Sequence, residues 1–327
     1  MSSQALYKLV AENISTESGK VLSVCHGFES AAYGELSSQL QADFWYRTAG
    51  FDGEPAAWLN YIKPYDIVLL PLPKGKETLK LCLAAAASII QQNGVVYLFG
   101  LNDEGIKSVS TISSDYFSRL DVVAVGAKGR IYKLSSAQAK DYNVNSFKMN
   151  SKISLNGRVV ELITYAGLFA KGGLDEATAL LIENMPLLQP GTRLLDYACG
   201  LGIVAKAAEM QQPAINVTLA DYDALAVLAA RQNLPNATTY CIADPSAVRE
   251  QYDIIVSNPP IHEGQDVSYR LVGKLIENLP RLLLPGGKAY FVTQITVPVA
   301  RMAGEARLKT TEIAKNRAFR VTEISAL

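Results

Sequence analysis

The sequence predicts an α/β protein in which one plan of strands and helices occurs twice. Short runs rich in Ile, Val and Leu alternate with helical runs, which is typical of a mostly parallel sheet flanked by helices. Three segments of the first half also resemble three of the second, in the same order: Gly19–Gly27 with Gly191–Gly200, Tyr65–Pro73 with Tyr252–Pro260, and Leu81–Phe99 with Leu275–Val292. The length, 327 residues, favours two domains over one. We therefore predict a tandem duplication with domains at 1–140 and 153–327.

Composition excludes several classes of protein. The formal net charge is zero, so any nucleic-acid contact must come from local patches. Four scattered cysteines and two histidines indicate neither a metal site nor a disulfide framework. Residues 1–20 lack the pattern of a signal peptide, and the longest apolar stretch, Leu81–Ile90, is too short to span a bilayer. We expect a cytoplasmic protein with no metal and no membrane partner.

The first copy has lost the residues on which chemistry would depend. Ser23 stands where the second copy has Asp196, Gly27 alone remains of a glycine loop, and Leu70 precedes proline where the second copy has Asn258. This domain is predicted to stabilise the second or to touch a substrate. The candidate contacts are basic, and an ordinary solvated face is the alternative for them: Lys74, Lys76, Lys80, Lys128, Arg130 and Lys133. The polar, aperiodic stretch Ser135–Lys152 predicts a linker.

The second copy opens with a strand and a helix around a turn-rich passage. The strand is predicted at Val159–Tyr165, and the turns at Gly167–Asp175. Asp175 is a plausible N-cap for a helix that continues through Met185.

Three successive strand ends then carry acids. Leu194-Leu195-Asp196 ends a strand, and the glycine loop Cys199–Gly202 leads into a helix at Ile203–Met210, where a flat ligand could lie against backbone. The strand Ile215–Ala220 ends at Asp221, placed for both hydroxyls of a ribose. The strand Thr238–Ala243 ends at Asp244, suited to an adenine amine. Each acid has an alternative role as the N-cap of the next helix.

The organising segment is the strand Tyr252–Val256 with the residues after it, Ser257–Gly264. Two prolines at a strand tip remove backbone donors and hold carbonyls rigidly. The Asn258 side-chain oxygen and the Pro259 carbonyl could therefore accept both N–H groups of an exocyclic amine on a planar group, so that its lone pair turns toward an electrophile. A loop that merely ends the strand is the alternative.

These motifs together resemble a known family. Gly167-Leu168-Phe169 with Leu174-Asp175, the run Leu195–Gly202, and Ser257-Asn258-Pro259-Pro260-Ile261-His262-Glu263-Gly264 are similar to class I S-adenosylmethionine-dependent methyltransferases of the small methyltransferase domain group. Within that group the match is to the bacterial ribosomal RNA guanine-N2 methyltransferases (RsmC-like), which pair a degenerate N-terminal methyltransferase-like domain with an active C-terminal one. The resemblance implies two tandem Rossmann-like class I methyltransferase domains.

The resemblance also implies roles for single residues. Asp196, Ala198, Gly200 and Gly202 would line the methionine and sugar part of S-adenosylmethionine, Asp221 its ribose and Asp244 its adenine. Asn258, which would also contact the donor, would form the catalytic tip with Pro259 and Pro260, and Phe169, Ile261 and His262 would face the substrate. Two residues depart from the family pattern: Ala198 stands where glycine is usual, and Ile261 where an aromatic residue is usual. We favour a structural role for His262.

The predicted function is methylation of the exocyclic amine of a guanine in ribosomal RNA, most consistent with 16S RNA of the small subunit. Three alternatives stay open: a large-subunit guanine, an adenine or protein glutamine amine, and a non-catalytic RNA-binding ribosome-assembly factor. Downstream, the sequence predicts a buried helical stripe from Tyr269 to Leu283, a Pro285–Gly287 turn into a strand at Lys288–Thr293, and a last strand at Arg320–Ile324.

Overall fold

A computed structural model describes residues 2–14, 19–25, 31–48, 64–138, 142–155, 157–168, 174–259 and 265–326. The chain divides into two compact units, Met1–Lys148 and Met149–Leu327. Each unit is built around its own sheet.

The N-terminal unit is a mixed sheet with flanking helices. Its strands are β1 (Val21–Cys25), β2 (Asp43–Tyr46), β3 (Tyr65–Pro71), β4 (Ile90–Leu101), β5 (Phe117–Gly126) and β6 (Gly129–Ala137). Its helices are α1 (Ser2–Asn13), α2 (Ala31–Gln39), α3 (Lys76–Ile89) and α4 (Val109–Ser113). The strand order is β2-β1-β3-β4-β6-β5; β1 to β4 are parallel, and β6 is antiparallel to both of its neighbours, β4 and β5.

The C-terminal unit begins with a two-stranded sheet, β7 (Lys148–Leu155) with β8 (Arg158–Tyr165). The strands of its main sheet are β9 (Arg193–Tyr197), β10 (Asn216–Asp221), β11 (Thr238–Cys241), β12 (Tyr252–Ser257), β13 (Leu283–Gln294), β14 (Leu308–Lys315) and β15 (Phe319–Ala326). Its helices are α5 (Glu176–Glu183), α6 (Ile203–Gln211), α7 (Ala224–Asn233), α8 (Gln265–Leu282) and α9 (Val299–Glu305). The strand order is β11-β10-β9-β12-β13-β15-β14.

The two sheets follow one plan. The order β2-β1-β3-β4-β6-β5 corresponds strand by strand to β10-β9-β12-β13-β15-β14. In both sheets one strand, β6 or β15, runs antiparallel to both of its neighbours, so the edge strand beyond it, β5 or β14, has the same direction as the rest of the sheet. The predicted fold class, two tandem Rossmann-like α/β domains, is confirmed.

The order of the C-terminal strands fixes where a ligand can bind. The chain runs from β9 outward through β10 to β11 and then crosses back to β12, on the other side of β9. In open α/β sheets the crevice at such a reversal, outside the carboxyl ends of the strands, is the usual ligand site. The carboxyl ends of β9 and β12 therefore mark the candidate site.

Alternating side chains build two apolar layers on this sheet. Leu194 and Val256 pack with α5 and α6 on one face. Leu195 and Ile255 pack with α8 and α9 on the other face. All four side chains are fully buried, as the period of two in a strand requires when both faces are covered.

Two predictions about the extent of elements are wrong. The linker expected at Ser135–Lys152 is largely structured, because its start belongs to β6 and its end to β7, joined by a 3-10 turn at Val144–Phe147. The helix expected to continue through Met185 ends at Glu183, with Asn184 as its C-cap.

The position matched with Asn258 in the first copy is also corrected. Strand register pairs Ser23 with Leu69 and Asp196 with Val256, so Leu69 and Val256 are equivalent. Counting forward from these residues places Pro71, not Leu70, at the position of Asn258. Proline has no side-chain amide, so the inference that this copy lost the residue is unchanged.

Candidate active site

The glycine loop and the Asn-Pro tip lie at the ends of neighbouring strands. In the pairing of β12 with β9, Ser257 is opposite Tyr197, so Asn258 and Ala198 are the next residues on the two strands. The Ser257 hydroxyl donates to the Tyr197 carbonyl at 2.7 Å, and Ser257 is fully buried. Since neighbouring strands are about 4.8 Å apart, the segments predicted to hold the donor and the target amine lie side by side at one edge of the sheet.

Left-handed backbone at alternate positions shapes the loop after β9. Ala198, Gly200 and Gly202 have φ angles of 61°, 54° and 78°. Gly202 is the N-cap of α6; its positive φ favours glycine, and a Cβ atom there would lie 2.8 Å from Leu234 Cδ1, which would have to shift. A Cβ at Gly200 would meet no atom within 4 Å, which leaves open space for a ligand against the backbone.

Ala198 is the departure from the family pattern, and its backbone explains why glycine is usual there. At φ 61° an L-residue costs roughly 1–2 kcal/mol, whereas glycine has no such cost. The half-buried Ala198 side chain packs against the apolar cluster that contains Leu195 and Tyr197. Part of the cost of the methyl group is thus offset by packing.

Asp196, at the end of β9, is buried beneath the loop. Its side chain is 1% exposed, and its Oδ2 accepts the Ala205 N–H at 3.1 Å, in the first turn of α6. Burial raises the pKa of Asp196 to about 7, although the Ala205 hydrogen bond opposes the shift and the nearby Asp221 adds to it. The carboxylate lies next to the residues predicted to hold the donor.

Asp221, at the end of β10, is tied to the same loop. Its Oδ2 accepts the Gly200 N–H at 2.8 Å, and its Oδ1 accepts the Asp223 N–H at 2.9 Å. Burial raises the pKa of Asp221 to about 6. A carboxylate oxygen has two acceptor sites, so each oxygen can also accept a ligand hydroxyl. This geometry fits the predicted contact with both hydroxyls of a ribose.

Asp244, predicted to accept an adenine amine, has protein partners. Its Oδ2 accepts from Lys274 Nζ at 2.9 Å, and its Oδ1 accepts the Ser246 N–H at 2.9 Å, as an N-cap. The Lys274 hydrogen bond lowers the pKa of Asp244 to about 2. The capping role left open by the sequence is observed, and the adenine contact stays a prediction that would use the remaining acceptor sites.

The Asn258 side chain is oriented by residues that sequence reasoning did not connect with it. Its Nδ2 donates to Thr178 Oγ1 at 2.8 Å and approaches Asp175 Oδ1 at 3.4 Å. Asp175 is the predicted N-cap of α5 and accepts the Thr178 N–H at 2.9 Å. Pro259 is buried next to Asn258. The amide nitrogen thus faces the protein, and the Asn258 oxygen is on the other side of the planar group.

A second unpredicted contact joins the loop to β8. Asn233, at the end of α7, accepts the Ile163 N–H at 2.7 Å and donates to the carbonyls of Ile163 and Leu201 at 3.0 Å each. A polar residue at the end of an apolar helix gives no sequence signal for such a bridge. The spacing of Asp175 and Thr178, in contrast, is that of an N-cap and its N3 residue and could have been noticed.

Four predicted site residues lie outside the described residues. They are Phe169, Pro260, Ile261 and His262. Within the described part of the chain, no group of three or more His, Cys, Asp or Glu side chains could hold a metal ion.

The strand tips of the N-terminal unit carry different chemistry. The Ser23 hydroxyl, in the place of Asp196, donates to Ser37 Oγ at 2.7 Å. The fully buried Tyr33 hydroxyl donates to the carbonyls of Val24 and Leu69 at 3.2 and 3.3 Å, between β1 and β3. In the other unit the corresponding tips carry the carboxylate of Asp196 and the amide of Asn258.

Three of the six basic residues predicted as contacts in this unit are exposed, and the other three are half-buried. Lys74, Lys76 and Lys128 are exposed, whereas Lys133 is half-buried. Lys80 forms an ion pair with Glu77 at 2.8 Å, and Arg130 Nε donates to Asn102 Oδ1 at 3.4 Å. A surface ion pair reduces the value of Lys80 as a contact for phosphate.

The family is decided by two matches that cover the two units. The model of the methyltransferase small domain matches residues 159–323, half of the chain, and that of its N-terminal domain matches residues 27–150. The chain belongs to the methyltransferase small domain family. The family resemblance inferred from the sequence is confirmed.

Relatives and solved structures agree with this assignment. Ribosomal RNA small subunit methyltransferase C of Pseudoalteromonas translucida is 27% identical over 70% of this chain and 68% of that protein. The protein of the same name from Psychromonas ingrahamii is 27% identical over 80% of this chain and 73% of its own length. A solved structure, the T. thermophilus 16S rRNA N2 G1207 methyltransferase (RsmC) in complex with AdoMet and guanosine, is similar with a TM-score of 0.76 at 19% identity, over 99% of this chain and 92% of that chain. At this low sequence identity, the similarity to the T. thermophilus structure shows a shared fold only.

Within the described residues, no helix is both long and apolar enough to cross a membrane.

Proposed function

We propose that this protein transfers a methyl group from S-adenosylmethionine to the exocyclic N2 amine of a guanine in ribosomal RNA of the small subunit. The observation that carries the proposal is the register of β9 and β12, because it brings Asn258 and Pro259 next to the loop that begins at Ala198. Methyl transfer to a planar amine requires a site for the methyl donor beside two fixed hydrogen-bond acceptors that hold the amine.

The residues of the loop suit S-adenosylmethionine. Gly200 offers open space against the backbone, and Asp221 holds a buried carboxylate whose oxygens can accept ribose hydroxyls. Asp196 adds a second buried carboxylate below the loop. When bound, S-adenosylmethionine supplies an electrophilic methyl group on a sulfonium centre.

The acceptor side works by positioning. The Asn258 Oδ1 atom and the Pro259 carbonyl accept the two N–H groups of the target amine, and its lone pair turns out of conjugation toward the methyl group. Orientation of this kind can remove roughly 7–11 kcal/mol of a barrier. The amine proton can leave after methyl transfer, so the site needs no strong base. A guanine within structured RNA must leave its stack to reach Asn258.

The choice of guanine in small-subunit RNA is supported by the relatives. The curated proteins similar to the chain are named ribosomal RNA small subunit methyltransferase C, and the T. thermophilus structure of the same fold is described as a 16S rRNA N2 G1207 methyltransferase in complex with AdoMet and guanosine. The proposed site of action is the cytoplasm. For the N-terminal unit we propose support of the catalytic unit or RNA contact through Lys74, Lys76 and Lys128.

The direct test is incorporation of labelled methyl groups into small ribosomal subunits, followed by nucleoside analysis. The proposal predicts label in N2-methylguanosine, lost when the subunits are treated with ribonuclease first. Label in methyladenosine or in protein would contradict the assigned substrate. No incorporation, together with no binding of S-adenosylmethionine at millimolar concentration, would favour an assembly factor without catalysis.

A further inference from the structure

The amide of Asn258 is one end of a short hydrogen-bond chain. Asn258 Nδ2 donates to Thr178 Oγ1 at 2.8 Å. The Thr178 hydroxyl in turn donates to Asp175 Oδ2. The chain runs from β12 to the first turn of α5 and ends on a carboxylate.

The direction of this chain is fixed at its carboxylate end. An ionised carboxylate only accepts hydrogen bonds, so the single hydroxyl hydrogen of Thr178 goes to Asp175. Thr178 Oγ1 can then only accept from residue 258, which means that the amide nitrogen, not the oxygen, must face it. The arrangement holds firmly because Thr178 is buried and Asp175 also accepts the Thr178 N–H at 2.9 Å, as the N-cap of α5.

From this geometry we infer that Asp175 and Thr178 are positioning residues that hold the Asn258 amide with its oxygen turned to the target amine. The inference rests on the proposed function, in which Asn258 Oδ1 accepts an N–H of the substrate. Without the chain, rotation about the Cβ–Cγ bond of Asn258 would exchange oxygen and nitrogen, and an NH2 group facing the substrate amine would repel it.

The carboxylate at the far end has a second effect. Hydrogen bonds in series polarise one another, so donation toward an anion increases the negative charge on the Asn258 oxygen. The chain also explains why residue 258 is Asn and not Asp. A carboxylate there would face Thr178 Oγ1, whose hydrogen is already given to Asp175, and would lie near the Asp175 carboxylate, which Asn258 Nδ2 approaches at 3.4 Å.

The first test removes the 2.8 Å hydrogen bond of Asn258 to Thr178 without changing the shape of residue 178, and leaves only the longer 3.4 Å contact of Asn258 Nδ2 with Asp175 Oδ1. Thr178→Val keeps the branched side chain but lacks the hydroxyl, whereas Thr178→Ser keeps the hydroxyl. We expect kcat to fall about 10- to 100-fold in Thr178→Val, with an unchanged Kd for S-adenosylmethionine, and to recover in Thr178→Ser. Thr322→Val is the matched control: Thr322 is buried in β15, and among the described residues its hydroxyl has no hydrogen-bond partner. It should retain wild-type kcat.

The second test reverses the chain. Asn258→Asp alone should be the least active variant, because two carboxylates compete for one hydroxyl hydrogen. In the double variant Asn258→Asp with Asp175→Asn, the new amide at 175 donates to Thr178, whose hydroxyl then donates to the new carboxylate. Asn remains a good N-cap, so the helix is retained. We expect the double variant to be at least about tenfold more active than Asn258→Asp, in the range of one positioning contact.

A third measurement tests whether the Asn258 amide is held in place, and it does not depend on methyl transfer. Nitrogen-15 NMR of the Asn258 side chain, assigned by its loss in Asn258→Asp, should show slow proton exchange in the wild type and fast exchange in Thr178→Val. Equal exchange, a wild-type kcat in Thr178→Val, or a double variant no better than Asn258→Asp would overturn the positioning role. Protected amide protons in a wild-type protein that transfers no methyl group would instead overturn the proposed function and leave the anchoring in place.

Discussion

The buried carboxylate of Asp221 is predicted to make binding of the methyl donor depend on pH. Its ionised form accepts the Gly200 and Asp223 N–H groups and, in the proposed site, the donor's ribose hydroxyls. Burial raises its pKa to about 6, above the ordinary value of 3.8. Protonation replaces an acceptor oxygen with an O–H group, so the protonated form should bind the donor poorly.

The expected magnitude follows from the fraction that is ionised. With a pKa of about 6, roughly one molecule in eleven carries the ionised Asp221 at pH 5, and nearly all do at pH 8. If only that form binds, affinity at pH 5 should be about tenfold weaker than at pH 8. The direction is a gain of affinity as pH rises through 6.

Isothermal calorimetry with S-adenosylmethionine at the two pH values is the assay. Asp221→Asn is the control, because the ligand's own titration is the same for both proteins and cancels in the ratio of their affinities. The variant should bind more weakly at both pH values. Besides burial, the charge of Asp223 raises the pKa of Asp221, and the charge of Asp221 in turn raises the pKa of Asp196. Because Asp196 has a pKa of about 7 and changes charge in the same pH range, Asp196→Asn is measured alongside. If the affinity for S-adenosylmethionine changed with pH in the same way in wild type and in Asp221→Asn, ionisation of Asp221 would not control donor binding.

Two further predictions concern the loop and its supports. Gly202→Ala should destabilise the protein by more than about 1 kcal/mol and weaken donor binding, because φ is 78° and the new Cβ would lie 2.8 Å from Leu234 Cδ1. Chemical denaturation measures the loss of stability. An unchanged denaturation midpoint would contradict the prediction. Asp196→Asn should raise the free energy of unfolding of the ligand-free protein at pH 8 by at most about 4 kcal/mol, since burial raises the Asp196 pKa to about 7. A group whose folded pKa is raised stabilises below its unfolded pKa of about 4 and loses that contribution as pH rises through 7, so wild type and variant should converge at pH 4.

The strand tips could be predicted from the sequence because a buried parallel strand appears as a continuous apolar run. The runs before Asp196, Asp221 and Asn258 end at polar residues, and parallel strands end at one edge of a sheet. Local pattern therefore sufficed to bring the acids and the Asn-Pro tip to one site. The N-cap role of Asp175 was predictable for the same reason, because it depends on residues three positions apart.

Contacts between distant side chains could not be predicted in this way. Thr178 and Asn258 are 80 positions apart, and Lys274 and Asp244 are 30 apart, so no periodicity connects them. The strand β7 was missed for another reason: burial alternates only from Ser151 to Leu155, the buried Ser151 is polar and Met149 is exposed, so too few apolar residues alternate to give a signal. Edge strand β14 was missed likewise, since most of its side chains are exposed.

In the proposed function, the tip at Asn258 and the loop after Asp196 form one methyl-transfer site for a guanine amine. The most direct test is mass spectrometry of modified nucleosides in 16S RNA from a strain that lacks this protein, complemented with wild type or with Asn258→Ala. We expect one N2-methylguanosine to disappear in the deletion strain, to return with wild type and to stay absent with Asn258→Ala at equal protein level. Full methylation with Asn258→Ala, or an unchanged set of modified nucleosides in the deletion strain, would contradict it.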